Sequence, residues 1–425
     1  MSTARYIIGD TRDVTASLPD ASVDLVMTSP PFLALRSYLP PDHPDKWREI
    51  GSEPTPAEFL QTLLELTAEW RRVLAPHGSI AVELGDTYAG SGGAGGDYGP
   101  DGMRGGQEKF KGSALADRKN KVLRADGNRM QQGNGWPMDK SICGIPWLYA
   151  LSLAYGRNML TGEPSPAGQW RVRNVVAWCR PNPPVGALGD KYRPATSYMT
   201  IATVARDRYF DLDAVRGPYS PNSHDRVAKG TGKRANTVKT SPDGNRDTLA
   251  ITNNDGAGAP PLDYWVISTA PYSGAHYATY PPDLCTRPIL SMCPQRVCTV
   301  CGEPSRRIVE TVNAVGHAVQ RASHRKSPGG AGDGRSGVAS INSAPEYAQR
   351  ETLGWTECEC PGGVDRWRNG VVLDPFGGSG TTGMVATGHG RDAILVDLDA
   401  RNADLARERV GMFLTVEDAR PEGAA

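Results

Sequence analysis

Short apolar runs separated by one longer amphipathic segment mark the first part of the chain. Residues 6–8 and 23–27 predict two strands with a turn between them. Between residues 56 and 74 apolar side chains recur at helical spacing, and Pro56 suits the first turn of a helix. Residues 76–78 should stop this helix, and residues 79–84 predict another buried strand. A strand, a helix and a strand in this order are typical of a parallel sheet.

The last part of the chain repeats this alternation more clearly. Residues 371–373 predict a strand, followed by a glycine-rich turn and a helix over residues 381–387. A second strand at 393–396 ends at Asp397, and residues 400–412 predict a charged amphipathic helix. This is a complete strand–helix–strand–helix unit, so we expect an α/β fold.

The middle of the chain contains isolated elements between polar stretches. A helix is predicted at 146–155, and strands at 170–178 and 199–204. Stretches rich in Gly, Pro, Asn and charge separate them, at about 88–138, 217–260 and 315–349. With 49 Gly and 34 Pro in 425 residues, long loops are expected.

The formal net charge is zero, which counts mildly against a nucleic-acid partner, but the positive charge is unevenly distributed. Two loop stretches concentrate it, and their cationic residues are Arg104, Lys109, Lys111, Arg118, Lys119, Lys121, Arg124 and Arg129 in the first and Arg226, Lys229, Lys233, Arg234 and Lys239 in the second. Phosphate neutralisation needs local rather than global charge, so we expect these loops to contact nucleic acid. Solvated surface charge is the alternative.

The glycine-rich turn at residues 374–382 has the features of a nucleoside site. Glycines between a strand and a helix let the backbone approach a ligand closely. Asp397, at the end of the next strand, is placed to accept hydrogen bonds from ribose hydroxyls. A dinucleotide-binding fold would show the same pattern, so the motif alone leaves the cofactor open.

A family resemblance decides between these cofactors. The segment Asp374-Pro375-Phe376-Gly377-Gly378-Ser379-Gly380-Thr381-Thr382 resembles the S-adenosylmethionine motif of the beta-group DNA amino-methyltransferases. In that family this motif follows the catalytic one, a circular permutation of the common methyltransferase order. The resemblance extends over most of the chain, including residues 276–281 and 178–183, where Arg180 replaces the usual Lys.

The resemblance therefore implies S-adenosylmethionine as the cofactor, bound to a Rossmann-like methyltransferase sheet that is circularly permuted and carries loop-rich insertions. The residues that it assigns to cofactor binding are Asp10, His276, Thr279, Asp374, Phe376, Gly377, Gly378, Ser379, Gly380, Thr381 and Asp397. For Asp10, capping of a turn is the alternative role.

The segment Thr28-Ser29-Pro30-Pro31-Phe32 has the chemistry that amino methylation requires. An exocyclic amino group is a poor nucleophile, so it needs hydrogen-bond acceptors and a base flipped out of the duplex onto an aromatic surface. Ser29 and the Pro30 carbonyl offer the acceptors, Pro31 helps to fix the turn, and Phe32 offers the surface. In the family, Ser at the first position usually accompanies cytosine N4 and Asp or Asn accompanies adenine N6. We therefore expect N4-cytosine methylation, with N6-adenine methylation as the alternative.

Other activities fit the sequence less well. Methylation of cytosine carbon 5 requires a Pro-Cys nucleophile, and the sequence contains no Pro-Cys dipeptide. A catalytically silent, zinc-stabilised DNA-binding protein and an RNA or protein methyltransferase remain alternatives. The expected partner is double-stranded DNA, and the resemblance adds a possible homodimer and a possible cognate restriction enzyme. Without an apolar run near the roughly 18 residues of a membrane span, or a leader, we expect a cytoplasmic protein with no membrane partner.

Four of the eight cysteines form two close pairs, Cys298 with Cys301 and Cys358 with Cys360. Four thiolates would close a tetrahedral structural zinc site, with Cys293 as a substitute ligand and four separate thiols as the alternative. The sequence thus predicts a small zinc-knuckle insertion. Five regions are expected in all: a catalytic half at 1–87, a loop-rich recognition region at 88–260, a cofactor-motif segment at 261–292, a zinc-binding insertion at 293–362 and a cofactor-binding half at 363–425.

Overall fold

A nine-stranded sheet forms the centre of the protein in this computed structural model. The structure describes residues 2–34, 46–89, 98–99, 102–103, 135–138, 140–183, 191–217, 258–269, 280–312 and 349–420. The strands of the sheet are β1 (Ala4–Ile8), β2 (Val23–Thr28), β3 (Leu74–Leu84), β6 (Arg171–Cys179), β7 (Thr196–Thr203), β8 (Tyr264–Val266), β13 (Val371–Asp374), β14 (Asp392–Asp397) and β15 (Leu414–Asp418).

The order of the strands across the sheet is β15-β1-β14-β13-β2-β3-β7-β6-β8. All neighbours are parallel except β7, which is antiparallel to both β3 and β6. The strand before the glycine turn, β13, therefore lies between β14 and β2, although some 340 residues separate β2 from β13 along the chain. This arrangement confirms the predicted α/β fold and brings the two ends of the chain into one sheet.

Six helices of the described residues flank the sheet: α1 (Thr11–Ser17), α2 (Pro56–Val73), α3 (Ile145–Tyr155), α4 (Pro282–Met292), α5 (Thr381–Gly388) and α6 (Arg401–Val410). Residues of α1, α2 and α3 belong to one buried apolar cluster, with Val14, Leu63 and Tyr149 among its members. Residues of α4, α5 and α6 belong to a second cluster, which includes Ile289 and Val385. The sheet is thus covered on both faces, as in other parallel α/β sheets.

Helix α2 shows how closely the local pattern determines an element. Thr55 caps its amino terminus by accepting a hydrogen bond from the Glu58 amide at 3.2 Å, and Pro56 occupies the first turn. Phe59, Leu63 and Trp70 are buried along one face. The predicted helix at residues 56–74 is therefore confirmed to within one residue.

Two local predictions were wrong. Residues 11–17 form helix α1 instead of part of a turn, because Asp10 caps the helix amino terminus and Val14 and Thr15 are buried. Helix α2 ends at Val73, and β3 begins at Leu74, so residues 76–78 lie within a strand and do not stop the helix. The strand is consequently longer than the predicted 79–84 segment.

The remaining strands of the described residues form short pairs outside this sheet. These are β4 (Tyr98–Gly99) with β5 (Gly102–Met103), β9 (Arg296–Cys298) with β12 (Trp367–Asn369), and β10 (Arg307–Val312) with β11 (Gln349–Trp355). All three pairs are antiparallel.

Residue contacts divide the chain into two compact units. The larger comprises Met1–Ala214, Leu262–Arg306 and Glu357–Ala425, and the smaller comprises Val215–Pro261 and Arg307–Thr356. The sheet lies in the larger unit and the β10–β11 pair in the smaller one. The five regions expected from the sequence, with boundaries at 87, 260, 292 and 362, stay predictions. Among the described residues no helix has both the length and the apolar character that crossing a bilayer requires.

Candidate active site

The carboxyl ends of parallel strands meet at one edge of the sheet, where they surround a cleft. The cleft encloses about 930 Å³ of empty space, part of it open to solvent. Nine of the predicted site residues line it: Asp10, Ser29, Pro31, Phe376, Gly377, Gly378, Ser379, Thr381 and Asp397. Pro30, Phe32, Asp374 and Gly380 are close in sequence to these residues but do not line the cleft, and His276 and Thr279 lie outside the described residues.

The glycine turn after β13 needs its glycines for steric reasons. A Cβ atom on Gly377 would lie 2.8 Å from the Leu395 Cβ, so a side chain there would collide with the neighbouring strand β14. Gly380 begins helix α5 with a φ of +80°, and a Cβ there would lie 2.8 Å from the Ala406 Cβ in helix α6. The turn therefore packs tightly against the sheet and leaves room above it.

Asp374 lies under the turn and joins it to the end of strand β2. This fully buried carboxylate accepts hydrogen bonds from the Thr28 hydroxyl at 2.7 Å, the Tyr280 hydroxyl at 2.8 Å and the Thr382 hydroxyl at 2.5 Å. Burial raises the pKa of Asp374, and these hydroxyls oppose the rise. The network holds the end of β2 and the start of α5 in a fixed relation.

Asp397 ends β14 and faces the cleft. One of its carboxylate oxygens accepts from the Gly378 amide at 2.9 Å, and the other accepts from the Asp399 amide at 2.8 Å and the Asn402 side chain at 3.1 Å. Burial raises the pKa of Asp397, and these three donors oppose the rise. A carboxylate has about four acceptor positions, so Asp397 can also accept from a ligand hydroxyl.

Asp10 has the capping role that the sequence left as an alternative. Its carboxylate accepts from the Arg12 amide at 2.8 Å at the start of helix α1. It also forms ion pairs with Arg48 at 2.8 Å and with Arg12 at 3.3 Å. The same residue lines the cleft, so capping and ligand contact are compatible.

Ser29 is hydrogen-bonded to a carboxylate that sequence reasoning missed. Its hydroxyl donates to Oε2 of Glu83, near the end of β3, at 2.6 Å. Glu83 is only 2% exposed, and its other carboxylate oxygen, Oε1, has no hydrogen-bond partner in the described part of the chain. Burial raises the pKa of Glu83, and the Ser197 hydroxyl, the Ser29 hydroxyl and the charge of Arg180 oppose this rise. A carboxylate within an apolar strand was the sequence signal that could have revealed it.

The Ser29–Phe32 segment packs closely against two glycines. A Cβ on Gly85 would lie 2.5 Å from Cε2 of the Phe32 ring, so the half-buried ring lies directly over that backbone. A Cβ on Gly51 would lie 2.9 Å from the Phe32 carbonyl oxygen. The position of the ring is therefore fixed by close backbone contact.

The four paired cysteines come together in the larger unit. The sulfur atoms of Cys298, Cys301, Cys358 and Cys360 all lie within 4.8 Å of one another. Strand β9 delivers Cys298, and the amide of Val300 donates to its sulfur at 3.4 Å. Cys293, the predicted substitute ligand, is buried apart from this cluster. The arrangement suits a tetrahedral metal ion, in which sulfur ligands lie about 2.3 Å from the metal.

The cationic loop residues of the sequence analysis, at 104–129 and 226–239, lie outside the described residues. Their predicted contact with nucleic acid stays a prediction.

Comparison with known proteins identifies a matching family and several similar proteins. The model of the N6/N4 methylase family, described as DNA methylases, matches residues 23–297 and 364–408. The type II methyltransferase M.SmaI of Serratia marcescens is 22% identical over 410 residues, which cover 96% of this chain and 91% of the relative. M.XycI of Xanthomonas campestris pv. cyanopsidis is 26% identical over 276 residues, 65% of this chain and 68% of the relative. The solved structure of PvuII DNA methyltransferase (cytosine-N4-specific) superposes with a TM-score of 0.44 at 13% identity, covering 98% of this chain and 95% of that one.

Proposed function

The chain belongs to the N6/N4 family of DNA methylases, and on that premise we propose that it is a site-specific DNA methyltransferase acting on the N4 amino group of cytosine. The observation that carries this proposal is the pair of Ser29 and Glu83, 2.6 Å apart, at the edge of the cleft. The pair offers an oriented hydroxyl and a proton acceptor next to a site suited to a nucleoside.

The cleft fits S-adenosylmethionine. The close packing of Gly377 against β14 leaves the space above the turn for the ligand, and Asp397 has acceptor capacity for ribose hydroxyls. Phe376, Ser379 and Thr381 line the same space. When bound there, S-adenosylmethionine supplies an electrophilic methyl group on a positively charged sulfur.

The chain's own residues prepare the amino group to receive that methyl. Because the Ser29 hydroxyl donates to Glu83, its oxygen lone pairs are free to accept from the N4 hydrogens, together with the Pro30 carbonyl. These acceptors favour a tetrahedral nitrogen with an available lone pair. As the amino nitrogen accepted the methyl group that the cofactor would supply, it would lose a proton to the Ser29 oxygen while the Ser29 proton passed to Glu83. The raised pKa of Glu83 suits it to this role.

The choice of cytosine depends on Ser29, the residue type that usually accompanies N4 methylation in the resembling family. Methylation of adenine N6 is the second candidate, because the same acceptors would serve that amino group. A catalytically silent DNA-binding protein is disfavoured by the Ser29–Glu83 pair, which such a protein would have no need to preserve.

Further parts of the proposal concern the order of the chain and its partners. Catalytic strand β2 precedes cofactor strand β13, in the order of the circularly permuted group with Ser-Pro-Pro-Phe as its catalytic motif. We expect base flipping onto the Phe32 side of the cleft and DNA contact by the cationic loops. A homodimer and a cognate restriction enzyme are possible partners, the latter because several relatives are named type II methyltransferases.

A structural zinc ion is also part of the proposal. Four sulfur atoms within 4.8 Å of one another are its support, since a tetrahedral thiolate site needs such a cluster. The family match ends at residue 297 and resumes at 364, so the cysteine cluster falls in a segment that the family model skips. The ion would brace this segment and take no part in methyl transfer.

The test is expression of the full chain in a host that lacks DNA methylation, followed by mapping of modified bases. N4-methylcytosine in one short sequence motif is the expected result. N6-methyladenine would correct the target base. DNA that stays unmodified although the purified protein binds S-adenosylmethionine would contradict the proposed activity and favour the silent protein.

A matched pair of variants separates catalysis from folding. Ser29→Ala should abolish methylation of the target base. The affinity for S-adenosylmethionine, measured by calorimetry, should stay largely intact. Ser22→Ala is the control, because Ser22 is half-buried, does not line the cleft and, among the described residues, its hydroxyl bonds to the Pro19 carbonyl nearby. Full methyltransferase activity of Ser29→Ala would contradict the proposed catalytic role of Ser29.

A further inference from the structure

Arg180 projects onto the same face of the sheet as the catalytic pair. Met27, Ala81 and Trp178 all contribute side chains to one of the two buried clusters. Side chains alternate between the faces of a strand, so the residues two positions further on, Ser29, Glu83 and Arg180, share that face. Ser29 follows β2, Glu83 is the penultimate residue of β3 and Arg180 follows β6, and these strands run in the same direction. The three polar groups therefore lie at the same edge and on the same face of the sheet, with β7 between β3 and β6, and the charge of Arg180 acts on Glu83.

Polar atoms at this edge lack partners among the described residues. Nε of Arg180, Oε1 of Glu83 and the hydroxyl of Ser197 on β7 are all buried, and none has a partner within hydrogen-bond distance there, although the Ser197 hydroxyl lies near enough to Glu83 to lower its pKa. Buried donors and acceptors are nearly always paired in native proteins, so unpaired ones need an explanation. A ligand that arrives only during catalysis provides one, because it would complete the missing hydrogen bonds.

Among the described residues the guanidinium is held in place by an aromatic ring and not by hydrogen bonds. It lies over the Trp178 ring, with its central carbon 5.1 Å from the ring centroid. The ring is fixed in turn, because the Trp178 indole donates to the Ile267 carbonyl at 2.9 Å. The Arg180 backbone amide donates to the Ala195 carbonyl at 2.8 Å. The charge of Glu83 also acts on Arg180, whose burial lowers its pKa. Arg180 is thus a positioned donor.

We propose that Arg180 recognises the flipped target base by donating hydrogen bonds to N3 and O2 of cytosine. This inference rests on the proposed function and extends it to the residue that selects the base. In cytosine these two acceptors lie next to each other and beside the N4 amino group, an arrangement that a planar guanidinium fork matches.

The same donors disfavour adenine. Beside its N6 amino group adenine presents N1 as an acceptor, but the next position on the ring carries a C–H group in place of the cytosine O2. One donor of Arg180 would then face a carbon-bound hydrogen and stay unpaired. A polar site built for one base rejects an analogue that leaves its buried groups unpaired.

The test combines a protein variant with a changed base. The substrate is a duplex with the mapped recognition sequence, carrying either cytosine or 3-deazacytosine, in which a C–H group replaces N3, at the target. 3-Deazacytosine should lower kcat/KM about 10- to 100-fold, the effect of losing one hydrogen bond to a charged group, and Arg180→Met should lower it at least as much, because it loses the contacts to both N3 and O2. In Arg180→Met the base replacement should lower kcat/KM little further, because that variant has already lost the contact to N3. Any altered reactivity of the amino group affects both enzymes equally and cancels.

Arg180→Lys keeps one charged donor and should stay sensitive to the N3 replacement. Arg173→Met is the matched control, since Arg173 is an exposed residue near the other end of the same strand, and it should behave like the unchanged protein. The affinity of each variant for S-adenosylmethionine, by calorimetry, reports intact folding. Losses that multiply in the doubly changed pair would overturn the role of Arg180 while leaving N4 methylation standing. An N6-methyladenine product from the unchanged protein would overturn both.

Discussion

At the scale of single residues, the proposed methylation needs an acceptor for the proton that leaves the amino group, and among the described residues Glu83 is the buried carboxylate that is hydrogen-bonded to Ser29. Glu83 receives the Ser29 hydrogen bond at 2.6 Å, and it does not line the cleft that would hold the cofactor. A change at Glu83 can therefore alter proton transfer without altering cofactor binding. Substitution of Glu83 is therefore the most specific test of the proposed proton transfer.

Glu83→Gln should lower kcat about 100- to 10,000-fold, the usual contribution of a general base, with cofactor affinity unchanged. The unchanged enzyme should lose activity as pH falls, because the relay needs ionised Glu83. Burial raises the pKa of this group, so the loss should occur at a higher pH than for an exposed glutamate, near 4.3. A profile of kcat against pH measures both effects, and the acidic limb should disappear in Glu83→Gln.

Glu65→Gln is the control for this variant, since Glu65 is an exposed carboxylate on helix α2. An acidic limb that persists in Glu83→Gln would assign the titration to another group.

The residues of the site were predictable to different degrees. Asp397 follows an apolar run directly and Ser29 follows one after Thr28, so their place at the edge of the sheet follows from the sequence. Glu83 is 54 positions from Ser29, and only the pairing of β2 with β3 brings them together. The role of Asp374 was also hidden, because its partners Thr28, Tyr280 and Thr382 come from three separate segments.

At the scale of elements, the start of helix α5 depends on Gly380. Gly380→Ala should lower the free energy of unfolding by about 2–5 kcal/mol, because alanine resists the positive φ and its Cβ would collide with Ala406. The same change should weaken binding of S-adenosylmethionine. Gly388→Ala, at the other end of α5, has open space and should be neutral or slightly stabilising. Equal behaviour of the two variants in thermal unfolding and calorimetry would contradict this account.

The β9–β12 pair joins the cysteine cluster to the sheet. Arg368 of β12 donates to the fully buried Asp24 of β2 at 2.6 and 3.1 Å, and Asp24 also bonds to His77 and to the Val371 amide. A metal at the cluster would fix the β9–β12 pair in place and thereby stabilise the hydrogen bonds between Arg368 and Asp24. Hydrogen bonding and charge from His77 and Arg368 outweigh burial and lower the pKa of Asp24.

One zinc ion per chain should therefore be found by elemental analysis of the purified protein. Cys298→Ser should lose the metal and unfold at a lower temperature, because structural zinc contributes directly to folding. Cys143→Ala should retain the ion, since Cys143 lies apart from the cluster. A metal-free protein with unchanged stability in Cys298→Ser would leave the four residues as ordinary thiols.

The elements themselves were largely predictable because their patterns are local. Helix α2 and the unit from β13 to α6 agree with the sequence to within a few residues. Helix α1 was missed because its seven residues show only a short apolar pattern, and the cap at Asp10 was read as a turn. The early start of β3 depends on pairing with β2, which a local pattern does not contain.

At the scale of the whole molecule, the segment between strands β10 and β11 is an insertion whose two ends lie next to each other. Ile308 pairs with Gly354 across β10 and β11, so the chain between them begins and ends at opposed positions of one antiparallel pair. Residues 307–356 belong to the smaller unit, whereas the cofactor cleft and the cysteine cluster belong to the larger one. The family match also omits residues 298–363. These facts indicate that the segment is separable from the cofactor-binding fold.

Replacing residues 309–353 by Asn-Gly should consequently leave the larger unit intact. Asn-Gly suits a two-residue turn between directly opposed strand residues, so Ile308 and Gly354 can stay paired. The shortened protein should bind S-adenosylmethionine with unchanged affinity by calorimetry and keep any metal that the full chain holds. Loss of either property would show that the segment is part of the cofactor-binding fold. If both properties persist while methylation of the mapped DNA sequence falls, the insertion contributes to DNA binding and not to cofactor binding. The cleft would then still bind S-adenosylmethionine, but the target base would no longer be delivered to it.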